Sequence, residues 1–173
     1  NYTKNSNDFY QVTNVDGAIN NNLNIIFDKT YKIKNFEIKS RGKINDLRLI
    51  LKEPFESRIL TENLNSFSVK ESNFNFRYSS DKKNFINING LYRFNENKFE
   101  KISFKNNFKD KVSNITLDFD TSRPLKVDLI NYNKDKNIKS NILSQFKLDT
   151  ELIEIKELKY SENKNNIIIK KLK

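Results

Sequence analysis

The stretch Phe74-Asn-Phe76-Arg-Tyr78-Ser-Ser-Asp81-Lys-Lys-Asn84-Phe-Ile86-Asn-Ile88-Asn-Gly90-Leu-Tyr92-Arg-Phe94 decides the fold. Apolar residues fall at every second position on both sides of a polar break, the period of an extended strand whose successive side chains point to opposite faces. Phe74, Phe76 and Tyr78 share a face opposite Asn73, Asn75 and Arg77. After Ser79 to Lys83, the residues Ile86, Ile88, Gly90, Tyr92 and Phe94 share a face opposite Asn87, Asn89 and Arg93, and Leu91 interrupts that polar face. The break is far shorter than the roughly dozen residues that a parallel crossover needs, so the two runs predict antiparallel neighbours.

The same rhythm extends to the C-terminus. Ile102 and Phe104 alternate; Ile115, Leu117 and Phe119 lie opposite Thr116, Asp118 and Asp120; Thr121-Ser-Arg-Pro124 leads into Leu125, Val127 and Leu129. Asn131 to Asn137 reads as a further break, followed by Ile142, Phe146 and Leu148, then by Ile153 and Ile155, with Leu158 and Tyr160 after a slip of phase, and finally by Ile167 to Ile169. Short connections make consecutive strands neighbours in a meander, and consistent pairing puts their apolar faces on one side. Towards the N-terminus the pattern is less regular. Leu23, Ile25 and Phe27 alternate, Tyr31 and Ile33 continue, Phe36 and Ile38 resume in shifted phase, Gly42 is a candidate bulge, and Leu47, Leu49 and Leu51 alternate again.

The exception is Glu53 to Phe67. Pro54 suits the first turn of a helix, and Phe55, Ile59, Leu60 and Leu64 recur at helix-like spacing, so this stretch predicts one short helix near residues 54–64 or an ordered loop. The expected organisation is a single β-rich unit over residues 1–173, with residues 1–8 prone to fray, irregular strands over 9–52, the helix or loop over 53–66, and a regular meander over 67–173. The predicted class is all-β: a long antiparallel meander of about ten strands curled into an open groove.

Composition supports that class. The 173 residues suit one domain, and 54 of them are Ile, Leu, Phe or Val, above the roughly 20% below which a charged chain stays disordered. A single alanine disfavours helix. Cysteine, histidine, methionine and tryptophan are absent, which excludes disulfides, Cys/His zinc sites, cysteine nucleophiles and histidine-dependent triads. No apolar run approaches the roughly 20 residues of a membrane-spanning helix. The +10 net charge comes with 26 Lys and 29 Asn, a bias of A/T-rich codons, and so points only weakly to anionic partners.

No chemistry-bearing constellation emerges, and no enzyme activity, metal or cofactor is expected. Asp118-x-Asp120 could ligate a cation but reads as a solvated strand face. Glu151, Glu154 and Glu157 are spaced too irregularly to converge. Gly17, Gly42 and Gly90 are isolated, and the sequons at Asn1 and Asn114 are chance products of an Asn-rich chain. Nucleic acid is not an expected partner, because the aromatics alternate into the apolar face and the lysines are scattered.

An apolar sheet face with almost no helix to cover it must close into a barrel, pack as a sandwich, or remain a trough facing a ligand. A lipid chain suits such a lining; a dry core is the alternative.

The stretch Tyr31 to Leu49, the repeated strands with hairpin breaks, and Leu158-Lys-Tyr160 with Asn166-Ile-Ile-Ile-Lys-Lys-Leu172 resemble the β-rich bodies of AsmA-like envelope proteins of the TamB and YhdP types. The resemblance implies a long sheet curled into a groove, anchored in the inner membrane of diderm bacteria by an N-terminal helix outside this chain. It implies location in the periplasm, with phospholipid or another acyl-chain lipid and adjoining strands of the same longer chain as partners. On this reading Phe74, Phe76, Ile86, Ile88, Tyr92, Phe94, Ile102, Phe104, Ile115, Leu117, Phe119, Leu125, Val127, Leu129, Phe146, Leu148, Ile153 and Ile155 line the groove. The rivals are a closed lipocalin-like or outer-membrane barrel and a structural or adhesive β-domain with a dry core.

Overall fold

A computed structural model describes residues 9–56, 59–128, 131–150 and 152–172. The strands are β1 (Tyr10–Phe27), β2 (Ile33–Phe55), β3 (Leu64–Ser79), β4 (Asn84–Phe94), β5 (Glu100–Lys109), β6 (Val112–Thr121), β7 (Leu125–Val127), β8 (Tyr132–Lys134), β9 (Ser140–Leu148), β10 (Ile153–Glu162) and β11 (Asn165–Leu172). Nine of them form one antiparallel sheet in the order β1-β2-β3-β4-β5-β6-β9-β10-β11, not closed into a barrel. Strand length falls from 23 residues in β2 to 16 in β3, 11 in β4 and 8 in β11.

Asparagine and aspartate turn the chain between strands. Asn95, Asp110 and Asn163 adopt φ of 53°, 53° and 49° at the β4–β5, β5–β6 and β10–β11 turns. Their short polar side chains tolerate that left-handed conformation better than most residues. At β3–β4, the Ser79 amide donates to Asn84 Oδ1 at 2.7 Å.

The structure decides one open alternative and changes two expectations. Residues 53–66, for which the sequence allows a short helix or a loop, contain no helix among the described positions: β2 runs through Pro54 to Phe55, Phe55 pairs with Leu64 at the start of β3, and Leu60 between them bridges Leu125. Leu125 and Val127 do not enter the main sheet. They lie in β7, which pairs only with β8 inside the expected Asn131 to Asn137 break, while β6 pairs directly with the longer β9. Three residues offer the sheet too few cross-strand pairs to compete with the nine of Ser140–Leu148. Finally, the irregular first third forms the two longest strands, with the phase slips inside them. Gly42 pairs in unbroken register with Ile19 and Phe74, and the β1–β2 shifts fall instead between Val12 and Asn14, between Asp16 and Gly17 opposite Asn45, and between Ile26 and Phe27. Residues 1–8, Leu129 and Glu151 lie outside the described residues.

The apolar face is concave. Tyr78 on β3 and Phe108 on β5 have ring centroids 6.4 Å apart, and Tyr92 on β4 and Phe119 on β6 lie 5.9 Å apart. In a flat sheet, next-but-one strands are roughly 9–10 Å apart. Glycine permits the close approach of β1 to β2: a Cβ on Gly42 would meet the Ala18 carbonyl oxygen at 2.1 Å.

Candidate functional site: the apolar face and its rim

The pairing registers lay the apolar residues out in rows that cross the whole sheet. One row runs Ile19, Gly42, Phe74, Ile88, Phe104, Leu117, Ser144, Leu158 and Ile169. Beside it runs Gly17, Ile44, then Gly90, Ile102, Phe119, Ile142, Tyr160 and Ile167. On the other side, Phe76 and Ile86 align with Asn106, Ile115, Phe146 and Ile155, and beyond them Phe108, Ser113, Leu148 and Ile153 align. Tyr92 pairs with Val69, and Phe94 with Phe67. Every expected lining residue of β3, β4, β5, β6, β9 and β10 therefore shares this face, while Leu125 and Val127 belong to β7.

Little covers the face. The accessible surface is 12672 Å², against roughly 8,900 Å² for a compact 20.6 kDa monomer. Leu64, Val69, Tyr92 and Leu125 are the buried hydrophobic residues among those described. On β1, Val15, Ile19 and Leu23 are 69%, 51% and 62% exposed.

The four buried residues gather at one rim, where residues 59–64 and the described residues of 122–139 lie against β4, β6 and β10. Lys126 N donates to the Ile59 carbonyl at 3.0 Å, beside the Leu60–Leu125 bridge. Arg123 Nη2 meets Glu62 at 3.3 Å, and its guanidinium lies 5.1 Å from the centre of the Phe94 ring. Burial lowers the Arg123 pKa, and Nε and Nη1 are sealed without partners. Lys134, also pushed down by burial, donates to the carbonyls of Thr121 at 3.0 Å and Ile138 at 2.7 Å. At the far end of the cover, the Tyr132 and Tyr160 hydroxyls lie 2.7 Å apart, and both donate to Glu162. The Tyr92 hydroxyl donates to the Asp120 carbonyl at 2.8 Å, and burial raises its pKa.

Sequence periodicity misses this polar cover, because Glu62, Arg123, Tyr132 and Lys134 lie in breaks between strands. It also misses the lining of β1 and β2, which the registers supply. Among the described residues, no group of three or more acidic, His or Cys side chains could hold a metal ion, and no helix is long and apolar enough to cross a membrane. Asp118 and Asp120 lie on the opposite face, both accepting from Asn141 Nδ2, at 2.8 and 3.3 Å. Comparison with protein-family models, curated proteins and solved structures finds no match.

Proposed function

We propose that this chain is a non-enzymatic segment of an AsmA-like periplasmic bridge, holding or conducting phospholipid or a similar acyl-chain lipid along its concave apolar face. The observation that carries this reading is the continuity of that face across nine strands with so few of its side chains buried. Acyl chains against such a face gain roughly 25 cal/mol per Å² of apolar surface removed from water, without directed bonds, so a bound chain could slide between rows at little cost. In this reading the sheet continues into adjoining strands of a longer chain, which an inner-membrane anchor outside this segment holds in the periplasm.

The test is photocrosslinking in cells from Phe104 and Leu117, which face each other across β5 and β6. Captured phospholipid is the expected result; crosslinkers at both positions that never capture lipid overturn the proposal.

A further inference from the structure

The polar face carries a recess of about 580 Å³. Its floor is a cross-strand row: Asn73 pairs with Asn89, Asn89 with Ser103, and Ser103 with Asp118, while Asn141 pairs with Asp120 one step along. Ser103 Oγ donates to Asn89 Oδ1 at 2.6 Å, and Asn141 Nδ2 bridges the two aspartates. These bonds fix the side chains yet leave the Asn73 amide, Asn89 Nδ2 and Asp118 Oδ2 without protein partners among the described residues, so donors and acceptors alternate along the floor.

An adjoining recess shares Leu91, Lys101 and Asp120 and adds Phe99. Leu91 is the apolar residue that interrupts this otherwise polar face, and the Phe99 ring lies 4.6 Å from the Arg93 guanidinium. An apolar ledge thus adjoins a row of amides, a hydroxyl and carboxylates. Acidic Glu71, Asp118 and Asp120 lie among basic Lys101 and Lys139, a mixture that disfavours a polyanion.

We propose that this recess binds a neutral oligosaccharide, its hydroxyls meeting the Asn73–Asn89–Ser103–Asp118 row and its apolar C–H surface resting on Leu91 and Phe99. The strands present those polar groups about 4.8 Å apart, a repeat suited to a chain of linked sugar rings. The proposal is independent of the lipid reading, because it concerns the opposite face.

The test titrates the ¹⁵N-labelled 173-residue chain with chitotetraose, cellotetraose and maltotetraose, following the Asn73, Asn89 and Asn141 side-chain amides by NMR. Saturable shifts with at least one sugar are expected. Asn89→Ala and Asp118→Ala should each weaken that binding about tenfold. Asn87→Ala, on the same face of β4 but outside the recess, should leave it unchanged. No saturable shift with any of the three sugars, or equal weakening by Asn87→Ala and Asn89→Ala, overturns the proposal.

Discussion

Ser72 and Gly90 are packed so closely that a Cβ on Gly90 would lie 1.8 Å from Ser72 Oγ and 2.5 Å from Ser72 Cα. Ser72 is fully buried there, beside the irregularity between Lys70 and Asn73 in the β3–β4 register, where Glu71 takes φ 48°. With no side chain on Gly90, β3 and β4 approach each other closely beside that irregularity.

Gly90→Ala should therefore destabilise the sheet by about 1–3 kcal/mol, because the clash is partly with backbone and cannot be relieved by a rotamer change. Urea midpoints would measure this, and Ser72→Gly should recover part of the loss in the double variant. An unchanged midpoint for Gly90→Ala would show that the strands are not in close contact.

Asn106 pairs with Ile86 and Ile115 on the apolar face, and its Oδ1 is sealed without a partner. Asn106→Leu removes that unsatisfied acceptor and should raise stability by about 1 kcal/mol. The neighbouring Asn107→Leu, on the exposed face, should change it little. A fall in melting temperature for Asn106→Leu would contradict the assignment.

Glu162 predicts a pH dependence. Donation from the Tyr132 hydroxyl, and then from that of Tyr160, holds its pKa below the ordinary 4.5. A carboxylate whose folded pKa is depressed contributes stability that is present above its unfolded value and is lost as pH falls through the folded one. The melting-temperature difference between the wild type and Glu162→Gln should thus be largest near neutral pH and shrink below about pH 4.5. A difference that stays constant down to about pH 3 would show that the bonds do not depend on ionisation.

Strand β1 is an edge with a single charged residue, Asp16, along its 18 positions, whereas the other edge, β11, carries Lys170 and Lys171, the latter at φ 56°. Charges and irregular backbone blunt an edge against pairing; β1 has the bulge at Thr13 but almost no charge, and from Asn14 to Phe27 no residue of its own is left unpaired with β2. The chain should associate with increasing concentration in sedimentation velocity, and Asn20→Lys with Asn22→Lys should suppress this without unfolding the sheet. Equal association of both proteins would move the contact elsewhere.

The alternation from Phe74 to Phe119 made the sheet, its antiparallel order and its apolar face legible, because period two has one structural solution and the breaks are too short for crossovers. Leu125-Lys-Val127 has the same period, and alternation alone could not reveal that β7 leaves the sheet. What distinguishes it is competition: Ser140–Leu148 offers β6 a longer partner, and that depends on residues far along the chain. The polar-face recess was equally hidden. Asp118-x-Asp120 read as a solvated face, since its neighbours Asn89, Ser103 and Asn141 come from three other strands and meet it only through register.

The shortening of the strands makes the sheet a wedge. At about 3.3 Å per residue, β2 spans roughly 75 Å and β11 roughly 26 Å. An extended acyl chain fills half of the roughly 30 Å hydrocarbon core of a bilayer. Several such chains could lie end to end across the β2 side, but only one across β11. In the lipid-conducting role proposed above, lipids moving from the wide side to the narrow would have to file from several abreast into a single lane.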